Sequence, residues 1–421
     1  MLAGVCAAVS AQGAGYAVLH SFSGLGTEGV TPIAPLVLDA AGYLYGTTQN
    51  SGAFSAGTVF KVKTDGTGFS VLHGFPSGFP EGYGPAAGMI LDGSGNLFGT
   101  TQFGGSSNVG TIFTITTGGT GFATVHNFSG GTSDGSTPLA ALLLDSSGYL
   151  YGTTQIGGAF NSGTVFKVKT NGTGFAILHS FAGMPFEGSF PVSGLVLDGA
   201  GYLYGTTPQG GTYDFGTVFK VQTGGTGFAN LYSFSGGSAD GGLPSASLVL
   251  GNSSMLYGTT EQGGTWTSGT VFKIRTDGNG FATLANLGAT FSDAANPMAS
   301  LALDGEGGLF GTSIGGGDFG LGAVFKVRTD GSAYSIVHSF AGGTTDGTLP
   351  YAAVIIDRGG NLYGTTSSGG AFGSGLGTVF AVLGAAPVPV PAIGGAARLA
   401  LIAGLAAVAV FVLRKRSGLG A

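Results

Sequence analysis

The chain has 421 residues, of which 87 are glycine and only 8% are charged, and its formal net charge is −6. Glycine does not recur at every third position, which excludes collagen, and an apolar content of 43% argues against a disordered chain. The single cysteine, Cys6, excludes a disulfide framework and a cysteine-based metal site.

The first fifteen residues predict an export signal. A short apolar run from Leu2 to Val9 is followed by Val9-Ser10-Ala11, which is an acceptable cleavage triplet. No Lys or Arg precedes the run, so we interpret residues 1–15 as a signal peptide that is truncated at its start. A disordered N-terminus is the alternative.

One predicted strand, residues 16–20, precedes a unit that repeats seven times. In the first unit four strands are predicted at residues 36–39, 43–48, 58–63 and 69–73, because these runs are rich in Val, Leu, Thr and aromatic residues between turn-forming clusters. The aromatic of the Tyr-Gly-Thr-Thr motif recurs every 53 residues, at Tyr45, Phe98, Tyr151, Tyr204, Tyr257, Phe310 and Tyr363. Four strands in a repeat of this length are typical of a propeller blade. Residues 16–384 are therefore predicted to form an all-β, seven-bladed β-propeller of four-stranded antiparallel blades.

The two ends of the repeat array predict how the ring closes. The last unit stops after its third strand, at residues 377–382, and residues 16–20 match the missing fourth strand. The first strand is therefore expected to complete the seventh blade, which would remove a free sheet edge.

The C-terminal segment predicts a membrane anchor. Residues 385–392 form a Pro/Val linker, which is stiff and extended. Residues 393–413 are apolar or Gly apart from Arg398, long enough for one transmembrane helix. The tail, residues 414–421, starts with Arg414-Lys415-Arg416, which favours a cytoplasmic C-terminus and a propeller outside the cytoplasm.

These motifs resemble those of a known repeat family. The run Asp39-Ala40-Ala41-Gly42-Tyr43-Leu44-Tyr45-Gly46-Thr47-Thr48, followed by Gly57-Thr58-Val59-Phe60-Lys61, is similar to the GloVer tandem repeat of exported bacterial proteins, over residues 16–382. The resemblance implies this architecture and a place in the bacterial cell envelope, and it implies no particular reaction.

The tail resembles a PEP-CTERM sorting signal, with Pro387-Val388-Pro389 where that family has Pro-Glu-Pro. Cleavage by a sorting enzyme and retention as a plain anchor both stay open.

Sevenfold repetition turns each repeated residue into a ring. By analogy with other propellers, the loops from the outermost strand to the next innermost strand and from the second to the third strand share one face, the top face. A carboxylate occupies one position four residues before each repeated proline: Glu28, Glu81, Asp134, Glu187, Asp240, Asp293 and Asp346. This acidic ring is either a top-face site for a cation or cationic ligand, or a set of turn residues that accept backbone N–H bonds, and the second interpretation is favoured.

An aromatic ring and a histidine ring follow from the same register. The aromatic positions, in the loop between second and third strands, are Phe54, Phe160, Tyr213, Trp266, Phe319 and Phe372, with Ser107 in the remaining blade. They would either stack on sugars or pack against the adjacent blade, and packing is the preferred interpretation.

All five histidines share one position: His20, His73, His126, His179 and His338, with Tyr232 and Ala285 at the other two. Spread over the rim, they are expected to be structural rather than catalytic.

The predicted function is a binding or envelope-interaction module whose ligand is unknown, with a glycan as one candidate. A carbohydrate-active enzyme, lyase or hydrolase, on the same scaffold is the alternative, and a structural or adhesive surface protein is the third interpretation. Off-pattern acids are the only hint of catalysis: Asp214, Glu261, Glu306 and Asp318. No catalytic residue, metal or cofactor is assigned, and the propeller is expected to be monomeric and not to bind nucleic acid.

Overall fold

The structure, a computed structural model, describes residues 15–77, 80–373 and 375–385. These residues form seven four-stranded antiparallel sheets, each ordered from the inner to the second, third and outer strand. The predicted all-β, seven-bladed propeller is therefore confirmed. We number the blades by the chain order of their inner strands.

The strands of each kind have nearly equal lengths, as the repeat requires. The inner strands are Val37–Leu38, Ile90–Leu91, Leu143–Leu144, Val196–Leu197, Val249–Leu250, Ala302–Leu303 and Ile355–Ile356. The second strands are Tyr43–Thr48, Asn96–Thr101, Tyr149–Thr154, Tyr202–Thr207, Met255–Thr260, Gly308–Ser313 and Leu362–Thr366. The third strands are Thr58–Lys63, Thr111–Thr116, Thr164–Lys169, Thr217–Gln222, Thr270–Arg275, Ala323–Arg328 and Thr378–Val382. The outer strands are Ser70–Gly74, Ala123–Asn127, Ala176–Ser180, Ala229–Ser233, Ala282–Asn286, Tyr334–Ser339 and, for blade 7, Tyr16–Ser21.

The other regular elements in the described residues are short. Two-stranded ladders join loops in five blades: Gly29–Val30 with Asn50–Ser51, Gly135–Ser136 with Ile156–Gly157, Gly188–Ser189 with Gln209–Gly210, Ala294–Ala295 with Gly315–Gly316, and Gly347–Thr348 with Ser368–Gly369. A 3-10 helix covers Asn252–Ser254. Across the described residues, no helix has the length and apolar character needed to span a bilayer.

Several predicted segments fall outside this description. Apart from Gly15 and Ala385, the described residues do not include the predicted signal peptide, residues 1–15, or the linker, residues 385–392. The predicted transmembrane helix, residues 393–413, and the basic tail, residues 414–421, also lie outside them. These predictions come from the sequence alone.

The ring is closed by the first strand, as predicted. Tyr16–Ser21 is the outer strand of blade 7 and pairs antiparallel with Thr378–Val382, with Tyr16 opposite Val382 and Ser21 opposite Thr378. A hydrogen bond that repeats around the ring gives independent evidence. In blades 1 to 6 a second-strand threonine donates to a backbone oxygen 40 residues later, in the next blade, and in blade 7 Thr365 Oγ1 completes the series by donating to Ala34 O at 3.3 Å.

The apolar core lies between blades. Seven clusters of buried residues each combine side chains from two neighbouring blades; one of them packs Phe22 and Phe60 against Tyr363 and Val379, across the junction of blades 1 and 7. At the axis, the segments before the inner strands are rich in Ala, Ser and Gly and line a cavity of about 110 Å³.

One repeated glycine shows why the sequence motifs keep their register. Gly57 begins the Gly-Thr-Val-Phe motif and has φ +98°, in the left-handed region that favours glycine. A Cβ there would lie 2.5 Å from Thr48 O and 2.7 Å from Cδ of Pro85, in the next blade. The repeated glycine and the repeated proline are therefore the two sides of one close contact between blades.

Candidate functional site

The top face is built from two kinds of loop, those that lead from an outer strand to the next inner strand and those that join second to third strands. The two-stranded ladders join these loops in five blades, and the single bridges Tyr83–Phe103 and Gly242–Gln262 join them in the other two. The opposite, bottom face consists of the inner-to-second and third-to-outer turns. The predicted assignment of both loop types to one face is what the topology gives.

The acidic and histidine rings form one set of pairs on the top side. Each acidic position follows the histidine position by eight residues, and in five blades the side chains meet. The Nε2-to-carboxylate distances are 3.7 Å for His20–Glu28, 3.4 Å for His73–Glu81 and His126–Asp134, 2.9 Å for His179–Glu187 and 3.2 Å for His338–Asp346. Tyr232 replaces the histidine in one pair, and its hydroxyl donates to Asp240 at 3.1 Å.

The carboxylates also cap the loop backbone. Asp134 accepts hydrogen bonds from the backbone N–H of Ser129 at 2.9 Å and of Gly135 at 2.7 Å. The equivalent bond reaches Glu28 from Ser23 at 2.9 Å, and Asp346 from Ala341 at 2.8 Å. Burial raises the pKa of Asp134, but the His126 ring beside it and the hydrogen bonds from the two backbone N–H groups outweigh burial and hold the pKa below its ordinary value. The carboxylates of the acidic ring therefore use much of their hydrogen-bonding capacity on groups of the protein itself.

Each histidine also joins two blades by stacking. The His20 ring lies parallel to Phe69 with centroids 3.6 Å apart, and the same contact recurs in the other histidine-bearing blades. At one position Ala285 replaces the histidine. The residue at the position of the stacking aromatic is Tyr334 there, and its hydroxyl accepts a hydrogen bond from Ala294 N at 3.0 Å. The constant spacing of eight residues, which also separates Tyr232 from Asp240, is the sequence signal that could have predicted these pairs.

Burial shifts the pKa of three of the histidines. Burial lowers the pKa of His20 to about 4, although Glu28 opposes the shift, and burial likewise lowers the pKa of His73 and His179. At His20, His73 and His179 the neutral imidazole is therefore the form that burial favours.

We expect stability to fall on acidification between about pH 6.5 and pH 4. A histidine with a lowered folded-state pKa binds a proton more readily after unfolding, so stability is complete above the unfolded pKa of about 6.5 and is lost as pH falls toward the folded pKa. Each such histidine contributes about 1.4 kcal/mol per pH unit where the loss is steepest. Urea denaturation at a series of pH values measures this.

His20→Tyr is the matched control, because Tyr232 shows that tyrosine keeps both the stack and the acid contact. This variant should lose less stability on acidification than the parent chain. A parent chain that became more stable between pH 6.5 and pH 4 would contradict the neutral assignment.

The six aromatic-ring residues are exposed, which overturns the preferred packing interpretation. Their exposed fractions lie between 50% for Trp266 and 60% for Phe160 and Phe372. Thirteen large apolar side chains are exposed among the described residues, and twelve of them lie in top-face loops, with Leu383 as the exception. Among the others, Phe186 is 82% and Phe291 75% exposed. Nearly all of the large exposed apolar side chains of the described residues therefore lie on the top face.

The loops that carry these aromatics are held by backbone hydrogen bonds. In five blades the glycine two residues before the aromatic donates to the carbonyl of the acidic-ring residue, as Gly158 does to Asp134 O at 3.0 Å and Gly211 to Glu187 O at 2.7 Å. The residue after the aromatic position has positive φ in all seven blades, including 61° at Thr267. The aromatic side chains thus project from a fixed backbone, which lowers the entropic cost of binding.

The top and bottom faces carry different formal charges. All twenty acidic residues lie in the described part of the chain, ten in top-face loops and ten in bottom-face turns. The ten Lys and Arg residues within residues 15–385 all lie on third strands or in a bottom turn, so the formal charge is −10 for the top face and 10 − 10 = 0 for the bottom. The lysines reach across the bottom edge, as Lys61 Nζ does in donating to Thr117 O of the next blade at 3.2 Å.

The off-pattern acids divide between the faces. Asp214, Glu261 and Asp318 lie in top-face loops of blades 4, 5 and 6, whereas Glu306 lies in a bottom turn. Burial raises the pKa of Glu261. Over residues 15–385, gaps excepted, no three His, Cys, Asp or Glu side chains are grouped so that they could hold a metal ion.

The fold and this face define a class of protein: a closed seven-bladed propeller with an acidic, aromatic top. The chain belongs to the Gloeobacter/Verrucomicrobia repeat family, whose model matches residues 3–200 and 185–380, so the resemblance seen in the motifs is confirmed. No curated protein matches the chain.

Solved structures share the fold at low sequence identity. The chain is similar to a GH74 enzyme from Niastella koreensis, at 15% identity and a TM-score of 0.55 over 87% of this chain and 53% of the enzyme. It is also similar to an oligogalacturonate lyase solved in complex with manganese, at 10% identity and a TM-score of 0.54 over 85% and 90% of the two chains. The match thus spans about half the length of the GH74 enzyme, and both likenesses concern the fold alone.

Proposed function

We propose that this propeller is a polysaccharide-binding module of the bacterial cell envelope, and that its aromatic ring is the binding surface. The observation that carries the proposal is the repeated exposure of an aromatic side chain on a fixed loop in six of seven blades. Sugar rings present apolar faces that stack on aromatic rings, and the aromatic edge and face give such contacts a defined geometry. A row of such platforms suits a polymer, because several weak contacts on one chain add in avidity.

Trp266→Ala tests the proposal. We expect binding to immobilised polysaccharides on a glycan array to weaken about tenfold, because loss of a stacked aromatic costs on the order of 1 kcal/mol beyond its buried area. The reverse change is Ser107→Trp, which adds a platform in the blade that lacks one and should strengthen binding. The matched control is Leu383→Ala, which removes an apolar side chain that is 46% exposed but lies away from the top face. Equal binding by all four proteins, or no binding to any polysaccharide, would count against the proposal.

We propose further that the chain is exported and anchored by residues 393–413, with the propeller outside the cytoplasm. The support is the apolar length of that segment and the basic cluster Arg414-Lys415-Arg416 that follows it. In a bacterial host, the full chain should fractionate with membranes and its propeller should be cleaved by protease added to cells with a permeabilised outer membrane. A chain that stops at residue 385 should leave the membrane fraction. Full-length protein in the soluble cytoplasmic fraction would contradict the anchor.

A further inference from the structure

In blades 4 to 6 the top-face loops carry acids that do not belong to the sevenfold pattern. Here the loops between second and third strands carry Asp214, Glu261 and Asp318. The residues at the equivalent positions of other blades are uncharged: for Asp214 they are Ser55, Asn108, Asn161, Thr267, Gly320 and Gly373, and for Asp318 they are Ala53, Ser106, Ala159, Thr212, Thr265 and Ala371. The same sector holds Tyr213 and Trp266, the two aromatic-ring residues that are not phenylalanine.

Two of the three added carboxylates, Asp214 and Asp318, lie next to aromatic-ring residues and face solvent. Asp214 follows Tyr213 and Asp318 precedes Phe319, and all four side chains are exposed. Asp214 Oδ1 accepts a hydrogen bond from Gly210 N at 2.8 Å, which leaves its second oxygen available. Asp318 donates its backbone N–H to Ser339 Oγ at 3.2 Å, and no hydrogen bond within the described residues uses its carboxylate. The ion pairs of Lys and Arg in this part of the chain all involve bottom-face acids.

Exposed carboxylates next to aromatic faces, on a surface without Lys or Arg among the described residues, match the chemistry of an ammonium group. A cation is attracted to the face of Trp or Tyr by the ring quadrupole as well as to the carboxylate. A polyanion meets a formal charge of −10 on this face, and like charges oppose association. The charge of this face therefore favours cationic polymers over anionic ones.

We propose that blades 4 to 6 select a polysaccharide with free amino groups, a polymer of glucosamine units, over neutral and acidic polysaccharides. The inference rests on the proposed function, because the aromatic ring supplies the stacking and the acids supply the selectivity. Tyr213, Trp266 and Phe319 stack on the sugar rings, while Asp214 and Asp318 pair with the ammonium groups.

Calorimetric titration of the full chain with three hexasaccharides tests the selectivity. The probes are the hexamers of glucosamine, N-acetylglucosamine and galacturonic acid, at pH 6 and low salt. We expect the glucosamine hexamer to bind about tenfold more tightly than the acetylated one, since screened ionic contacts of this kind give effects of this order. The galacturonate hexamer should not bind, and added salt should reduce the preference for glucosamine.

The double variant Asp214→Asn, Asp318→Asn isolates the charge. Asparagine occupies the position of Asp214 in two other blades, where Asn108 and Asn161 accept the equivalent backbone hydrogen bond, so the loop should keep its form. The variant should bind the glucosamine hexamer about tenfold more weakly and the acetylated hexamer as before. Asp65→Asn, in an exposed bottom turn, is the control and should change neither affinity.

Several outcomes would overturn the inference. Equal affinity for the glucosamine and acetylated hexamers, tighter binding of galacturonate, or no effect of the double variant would remove the charge selection. If in those cases Trp266→Ala still weakened binding, the proposed function would stand without it. Tighter binding of polylysine than of the glucosamine hexamer would replace the glycan with a basic protein as partner.

Discussion

A chain that lacks residues 1–22 should fail to form a stable propeller. The deletion removes the outer strand of blade 7, exposes the edge of Thr378–Val382 and takes away Phe22, which is 1% exposed in the core between blades 1 and 7. Truncation of one buried phenylalanine to alanine costs about 3–5 kcal/mol, close to the whole stability of many domains. Urea denaturation followed by far-ultraviolet circular dichroism should show loss of the cooperative transition, and a synthetic peptide of residues 15–24 should restore part of it.

A disulfide across the junction of the first and last strands should stabilise the closed ring. Ala17 and Ala381 are paired across the two strands, so cysteines at both positions, in a chain with Cys6→Ser, should form a disulfide. Closing so long a loop should add about 6 kcal/mol in the chain-entropy model, and a reductant should remove the gain. A truncated chain with an unchanged unfolding midpoint, together with cysteines that do not pair, would contradict closure by this strand.

Gly258→Ala should destabilise the protein by about 1–3 kcal/mol, because it overfills a packed core. Gly258 is the glycine of a Tyr-Gly-Thr-Thr motif, and a Cβ there would lie 2.6 Å from Cζ of the buried Phe272 and 2.9 Å from Cδ2 of Leu248. Urea denaturation measures the loss.

A second substitution gives the control for this clash. Phe272→Leu removes the ring that meets the new methyl group, so the double variant should be more stable than the sum of the two single losses predicts. Strict additivity of the two losses would show that the glycine is required for some reason other than contact with Phe272.

The architecture was predictable from the sequence because repetition makes each signal appear seven times. The 53-residue step, the four short strands in each unit and the lone strand Tyr16–Ser21 together specified blade number and closure. Only the inner strand is shorter than predicted, at two residues rather than four, because the residues before it turn away to line the axial cavity.

The character of the top face was harder to predict. A phenylalanine in a glycine-rich loop is as compatible with burial as with exposure, and its direction depends on backbone angles such as the positive φ at Asn161 and Thr267. The charge separation, in contrast, was available in the sequence, since each Lys and Arg of the repeats lies on the third strand or in a bottom turn. The net charge of the whole chain averages over both faces and therefore hides this separation.

Trp266 offers the most direct measurement of the central claim, that the exposed aromatic ring contacts a polysaccharide. It is the only tryptophan of the chain, so its fluorescence reports on one aromatic platform without a label. Titration with a polysaccharide selected on the array should shift or quench the emission in a saturable way, with the same dissociation constant as calorimetry, and Ser107→Trp should add a second responsive signal. Saturable binding by calorimetry with unchanged emission from Trp266 would place the ligand elsewhere and contradict the account.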